Sequence, residues 1–193
     1  MVEQQKQEPE IPYLTRVQVL GAMGATAIIL WIVAKLWLRF GDFSIFSWQW
    51  NEKDLLFGIG LGLIITALSG LTYRFCPPYR KSADYYLDLV LKPLVLPDII
   101  WLGLLPGLSE ELLFRGVMLP ALGADHVAVI VSSLCFGVLH LSGSEQWPYV
   151  LWATIVGLIF GYSALLTGNL LVPIIAHIMT NLISSYLWKL RRV

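Results

Sequence analysis

Charge is scarce in this sequence. Lys, Arg, Asp and Glu make up 13% of its 193 residues, about half the share that covers a soluble domain. The 13 basic and 13 acidic residues cancel, so there is no cationic excess to hold a nucleic-acid backbone. There are two cysteines. Cys76 stands beside Pro77 and Pro78, and Cys135 lies inside an apolar run. That arrangement excludes a disulfide framework and a thiolate metal site, and both read as packing thiols. No His-Glu-x-x-His helix and no Gly-x-Ser-x-Gly elbow is present, which removes the usual zincin and serine-hydrolase signatures. Internal repeats and low-complexity tracts are also missing.

Apolar residues fill the gap. They form 57% of the chain, and the mean hydropathy is +0.71. The expected fold class is all-α, a polytopic transmembrane helical bundle of about six spans. Each needs roughly 20 apolar residues, and the stretches 17–38, 55–73, 98–119, 124–141, 147–167 and 169–188 qualify. Short links after residue 120 make consecutive helices antiparallel neighbours. The broken 80–97 stretch reads as an amphipathic piece on the membrane surface. Lys6, Arg16, Arg74, Arg80, Lys81, Lys92, Lys189, Arg191 and Arg192 outnumber Lys35, Arg39 and Lys53. The positive-inside rule therefore puts both termini on the cytoplasmic side of a multi-pass protein. The organisation expected is a polar tail over 1–16, two spans and an interfacial connection over 17–97, and a four-helix core over 98–190.

Against this background the run GLSEELLFRG (107–116) stands out. An ionisable group at mid-membrane costs about 2.5–3.5 kcal/mol on insertion scales and marks a functional site by default. Glu111 and Arg115 are four apart and share a helix face. Glu110 is turned about 100° from Glu111 and must find its partner on another helix. Two other apolar segments supply partners. CFGVLHL (135–141) places Phe136 and His140 four apart, and PIIAHIMTNL (173–182) does the same for His177 and Asn181. A carboxylate and a histidine can deprotonate water, and a second histidine with an amide can donate to an oxyanion. A zinc site built from Glu110, His140 and His177 is the chemical rival, although Asn181 suits an oxyanion better than zinc. Phe136 reads as packing under His140. His126, beside Asp125, reads as a cap or interface residue, and Ser132 and Ser133 as hydroxyls that bond back to their own helix or across to a neighbour.

The segments EELLFR (110–115), FGVLH (136–140) and HIMTN (177–181) together resemble the Glu-Glu-x-x-x-Arg, Phe-x-x-x-His and His-x-x-x-Asn motifs of the CAAX protease and bacteriocin-processing family, also called the Abi family. The resemblance covers about residues 98–190. It implies a glutamate-type intramembrane endopeptidase with no metal and no other cofactor. By it, Glu110 is the general base and His140 its partner on water. His177 and Asn181 form the oxyanion hole, and Glu111 and Arg115 support the motif helix. The implied partners are the lipid bilayer and a membrane-anchored protein or peptide, of which a prenylated tail is one kind. Better-known family members resemble eight-helix proteins, so the half that admits substrate is shortened here. A non-catalytic assembly or binding factor that retains the protease fold is the alternative. A proton or metal transporter is a weaker one, because the first two spans offer almost no ionisable residues for a path. Pro106, Gly107, Gly116 and Pro120 predict an interruption of the motif helix.

Overall fold

The structure, a computed structural model, describes residues 14–191. Most of the tail expected over 1–16 lies outside the described residues, as do Lys6 and Arg192. The chain folds as α1 (Arg16–Phe40), α2 (Glu52–Phe75), α3 (Pro77–Leu91), α4 (Ile99–Glu111), a π-helical segment (Leu112–Met118), α5 (Leu119–Ala121), α6 (His126–Val138), α7 (Trp147–Thr167) and α8 (Leu171–Leu190). No strand occurs among the described residues. The protein is an all-α, polytopic membrane bundle.

Polar side chains set the helix starts. Thr15 and Gln18 form a reciprocal capping box at α1, and the Asp125 carboxylate accepts from Ala128 N at 2.8 Å at the start of α6. Both satisfy backbone N–H groups that a helix leaves open. α7 ends at Gly168, whose φ of 64° lets the chain turn into α8. Leucine, isoleucine and tryptophan side chains along α1, among them Ile28, Ile29, Trp31 and Leu36, are exposed, as a lipid-facing helix requires.

Among the described residues, four helices are long and apolar enough to cross a bilayer: α1, α2, α7 with its preceding turn, and α8. A fifth span would be α3 joined to the Leu96–Ala121 run, but these are bent by 104°. The expected six thus become four, or five with the bent pair. α6 has 13 residues, about 20 Å of helix, against a hydrocarbon core of about 30 Å. The third stretch is not a straight span. α4 continues through Pro106, and its bonding changes only after Glu111, where the wider π turn begins. The interruption expected around the motif therefore exists, one residue beyond the paired glutamates. The 80–97 stretch holds α3, which turns Tyr79, Ala83 and Leu91 inward and leaves Arg80 and Lys81 exposed.

Three pairs of glycines, each four residues apart, bring the helices together. A Cβ added at Gly58 or Gly62 of α2 would sit 2.9 Å from Ile175 Cβ or 2.7 Å from Met179 Cβ of α8. At Gly103 or Gly107 of α4 it would sit 2.6 Å from Leu182 or 2.5 Å from Ile178, also of α8. At Gly157 or Gly161 of α7 it would press on Ser133 or Val129 of α6. Such small residues let backbones approach closely where lipid gives helices no hydrophobic reason to associate. α8 is held between α2 and α4, while α6 is held on α7.

The link between α1 and α2 runs as a strap behind this cluster. Phe46 N donates to Gly116 O at 2.8 Å, and Leu170 N donates to Ser47 O at 2.8 Å. Asn169 accepts from Gln49 N at 3.0 Å, and its amide donates to Gln49 O and Asp54 Oδ2, both at 2.8 Å. These bonds satisfy a carbonyl of the π segment and anchor the start of α8.

Candidate active site

α4, α6 and α8 bring the polar residues of the three motifs together inside the bundle. Glu111 and Arg115 are both fully buried, and Arg115 Nη1 donates to Glu111 Oε1 at 2.9 Å. Arg115 Nη2 donates to Gly157 O at 2.7 Å. The guanidinium lies 4.7 Å from the centre of the Phe136 ring and 5.5 Å from that of Phe160, within the range of cation–π attraction. Gly157 has to be bare here. A Cβ on it would come within 3.2 Å of Arg115 Nη2, Phe136 and Ser133 Cα.

Glu111 has a second partner. His177 Nδ1 donates to the same Oε1 at 2.8 Å, since a carboxylate can only accept. The His177 ring stacks on Phe160, with centroids 5.1 Å apart and planes 22° apart. Spacing along one helix accounts for the Glu111–Arg115 pair. It does not reveal that this carboxylate, and not Glu110, holds His177.

Glu110 meets His140. Its Oε2 is 3.9 Å from His140 Nε2 and is buried without a hydrogen-bond partner. His140 Nδ1 lies 2.8 Å from Phe136 O. A carbonyl accepts, so the ring proton sits on Nδ1 and Nε2 is the nitrogen turned toward Glu110. Phe136 packs on the His140 ring at 4.7 Å and meets His177 edge-on at 5.8 Å. It also supplies the carbonyl that sets the His140 tautomer, so its part exceeds the packing read from sequence. Asn181 stands apart from this group, with Nδ2 donating to Leu102 O at 3.4 Å.

A cavity of about 390 Å³ joins these residues, and Glu110, His140, His177 and Asn181 all line it. Its wall is extended by residues outside the motifs. Tyr86 of α3 and Tyr149 of α7 stack at 4.6 Å, and each ring centre is 6.2 Å from that of His140. Nothing in their local sequence sets these tyrosines apart from interfacial aromatics. Gly157 and Gly161 could have been read from their spacing. His126 sits outside the cluster, its ring 5.7 Å from that of Tyr162. Ser132 and Ser133 both donate to Val129 O in their own helix. Among the described residues, no three His, Cys, Asp or Glu groups are placed to hold a metal ion.

The chain is similar to several known proteins. Uncharacterised protein YpbD of Bacillus subtilis (strain 168) is 27% identical over 131 residues, 66% of this chain and 67% of that protein. An uncharacterised protein of Mycoplasma capricolum subsp. capricolum (strain California kid) is 35% identical over 83 residues, 42% of this chain and 24% of its own length. No solved structure matches the chain. The model of one family, described as type II CAAX prenyl endopeptidase Rce1-like, matches residues 92–183. That segment contains Glu110, Glu111, Arg115, Phe136, His140, His177 and Asn181, and it is similar to the Rce1-like family of CAAX endopeptidases.

Proposed function

We propose that this protein is a metal-independent, glutamate-type intramembrane endopeptidase that uses Glu110 and His140 to activate water. The observation that carries the reading is the 3.9 Å gap between Glu110 Oε2 and His140 Nε2 on the cavity wall. It is too long for a direct hydrogen bond, but both atoms can reach one water at about 2.8 Å. Nδ1 carries the His140 proton, so both groups accept, and a water between them donates one hydrogen to each. That leaves its lone pairs free for a carbonyl carbon. Attack forms the C–O bond as Glu110 takes the water proton. Collapse breaks the C–N bond, and the same proton passes to the leaving amine.

The oxyanion falls to His177 and Asn181. His177 gives Nδ1–H to Glu111, so it can donate from Nε2 only as an imidazolium. Glu111 is the counter-charge for that form, and Arg115 fixes Glu111. With Glu110 ionised, the four groups then carry two negative and two positive charges, a neutral set inside an apolar bundle. Asn181 supplies an amide N–H.

The functional division follows the same line. Residues 98–190 carry the chemistry. The 17–97 part contributes Met23, Thr66 and Tyr86 to the cavity wall and so shapes what enters. Both termini face the cytoplasm. The substrate is a membrane-anchored protein or peptide, with prenylated tails within that class.

Cleavage of a pool of prenylated and unmodified membrane peptides tests the proposal, using wild type, Glu110→Gln and His140→Ala in detergent with and without a chelator. Loss of about 10²-fold or more in each variant, with no effect of the chelator, is expected. Chelator-sensitive cleavage would move the same residues into a metal site, and an inactive wild type would overturn the protease reading.

A further inference from the structure

We infer that Pro106 is a positioning residue for Asn181: it withholds a helical donor from the Leu102 carbonyl, and that carbonyl then orients the Asn181 amide. The catalytic use of Asn181 rests on the function proposed above, but its orientation does not.

In α4 the carbonyl of residue 102 should accept from the N–H of residue 106. Position 106 is proline, inside the helix, and has no N–H to give. A bare carbonyl within a membrane bundle needs another donor. It finds one on α8, where Asn181 Nδ2 lies 3.4 Å from Leu102 O. Gly103 and Gly107 make this possible from the same turn. A Cβ at either would be within 2.6 Å of Leu182 or Ile178, so both positions must be bare for α8 to reach Leu102.

A carbonyl only accepts, so Asn181 must present its nitrogen to Leu102 and not its oxygen. One amide hydrogen is used there and the other remains for a ligand. Leu102, Pro106 and Asn181 all line the cavity. Alanine at 106 would restore the helical bond to Leu102 and release the amide. It could then turn by 180° and offer Oδ1, which repels an oxyanion.

The test is Pro106→Ala in the full chain, solubilised in detergent micelles and labelled with ¹⁵N-asparagine. The chain has three asparagines, Asn51, Asn169 and Asn181, and the Asn181 side-chain signals are those lost in Asn181→Ala. In wild type we expect one Asn181 N–H to exchange slowly with water. In Pro106→Ala that protection should disappear while Asn51 and Asn169 keep their shifts, which shows that the fold is intact. On the same peptide pool, kcat should fall about tenfold with KM unchanged, a fraction of what one oxyanion donor contributes. Adding Pro106→Ala to Asn181→Ala should cost nothing further. Unchanged Asn181 signals in Pro106→Ala, or losses that multiply in the double variant, would overturn the inference. If wild type cleaves none of the peptides, the protease reading fails, and the amide spectra alone decide whether Pro106 orients Asn181.

Discussion

Replacing Arg115 by methionine tests how the centre of the site is held together. The substitution keeps much of the side-chain volume and its contacts with Phe136 and Phe160, but removes the charge. Two bonds go with it, 2.9 Å to Glu111 and 2.7 Å to Gly157 O. Glu111 would then be a fully buried carboxylate with His177 as its remaining partner. Breaking a buried ion pair from one side costs about 3–5 kcal/mol, because the other charge is left uncompensated. The pair itself is not a strong stabiliser, since Glu111 Oε2 and Arg115 Nε are buried without hydrogen-bond partners. Arg115→Met combined with Glu111→Gln should therefore recover most of the loss, because both members of the buried pair are removed together and glutamine can still accept from His177 Nδ1. The assay is SDS-driven unfolding in mixed micelles, run as a double-mutant cycle with cleavage measured alongside. The single variant should unfold at much lower SDS, and the double should return to within about 1–2 kcal/mol of wild type. It should still be inactive, as the counter-charge of His177 is gone. A double variant as unstable as Arg115→Met would refute the charge argument, and one that kept full activity would refute the role given to Glu111.

Two further outcomes follow from the helix contacts. Gly62→Ala puts a methyl 2.7 Å from Met179 Cβ and 2.8 Å from Ala176 O. Neither can swing away, so α8 must shift at a cost of about 1–3 kcal/mol, and cleavage should fall because His177 lies one residue beyond Ala176. Thr15→Ala removes the capping box of α1 and should cost about 1 kcal/mol in the same unfolding assay, with cleavage unchanged because Thr15 lies outside the site.

What the sequence made legible depended on how far apart the interacting groups are along the chain. Glu111 and Arg115 are four residues apart, and helical geometry alone pairs them. The three motifs could be assigned to separate apolar segments because each is shorter than one helix. The number of spans was less readable. Hydropathy does not register that α6 stops after 13 residues, or that α4 meets α3 at 104°. α6 gives way to a tighter turn in which His140 N bonds to Gly137 O and Leu141 N to Val138 O, and the bend lies around Leu96–Asp98; the mean apolarity of the windows reports neither.

Which of the two glutamates meets His177 could not be read from helical spacing. Glu110 and Glu111 are adjacent, so whichever of them faces α8 is decided by the rotation of α4 about its own axis. That rotation is fixed by Gly103 and Gly107, which have to face α8 for it to fit at all. The π turn then begins directly after Glu111 and carries Arg115 under the same carboxylate. The glycine spacing was present in the sequence, and with it the face of α4 that touches α8. Combining that face with the 100° step between neighbouring residues gives a reason for one glutamate to be buried against His177 while the other is left facing His140 across the cavity. The separate placement of the two carboxylates is thus a consequence of where α4 lacks side chains.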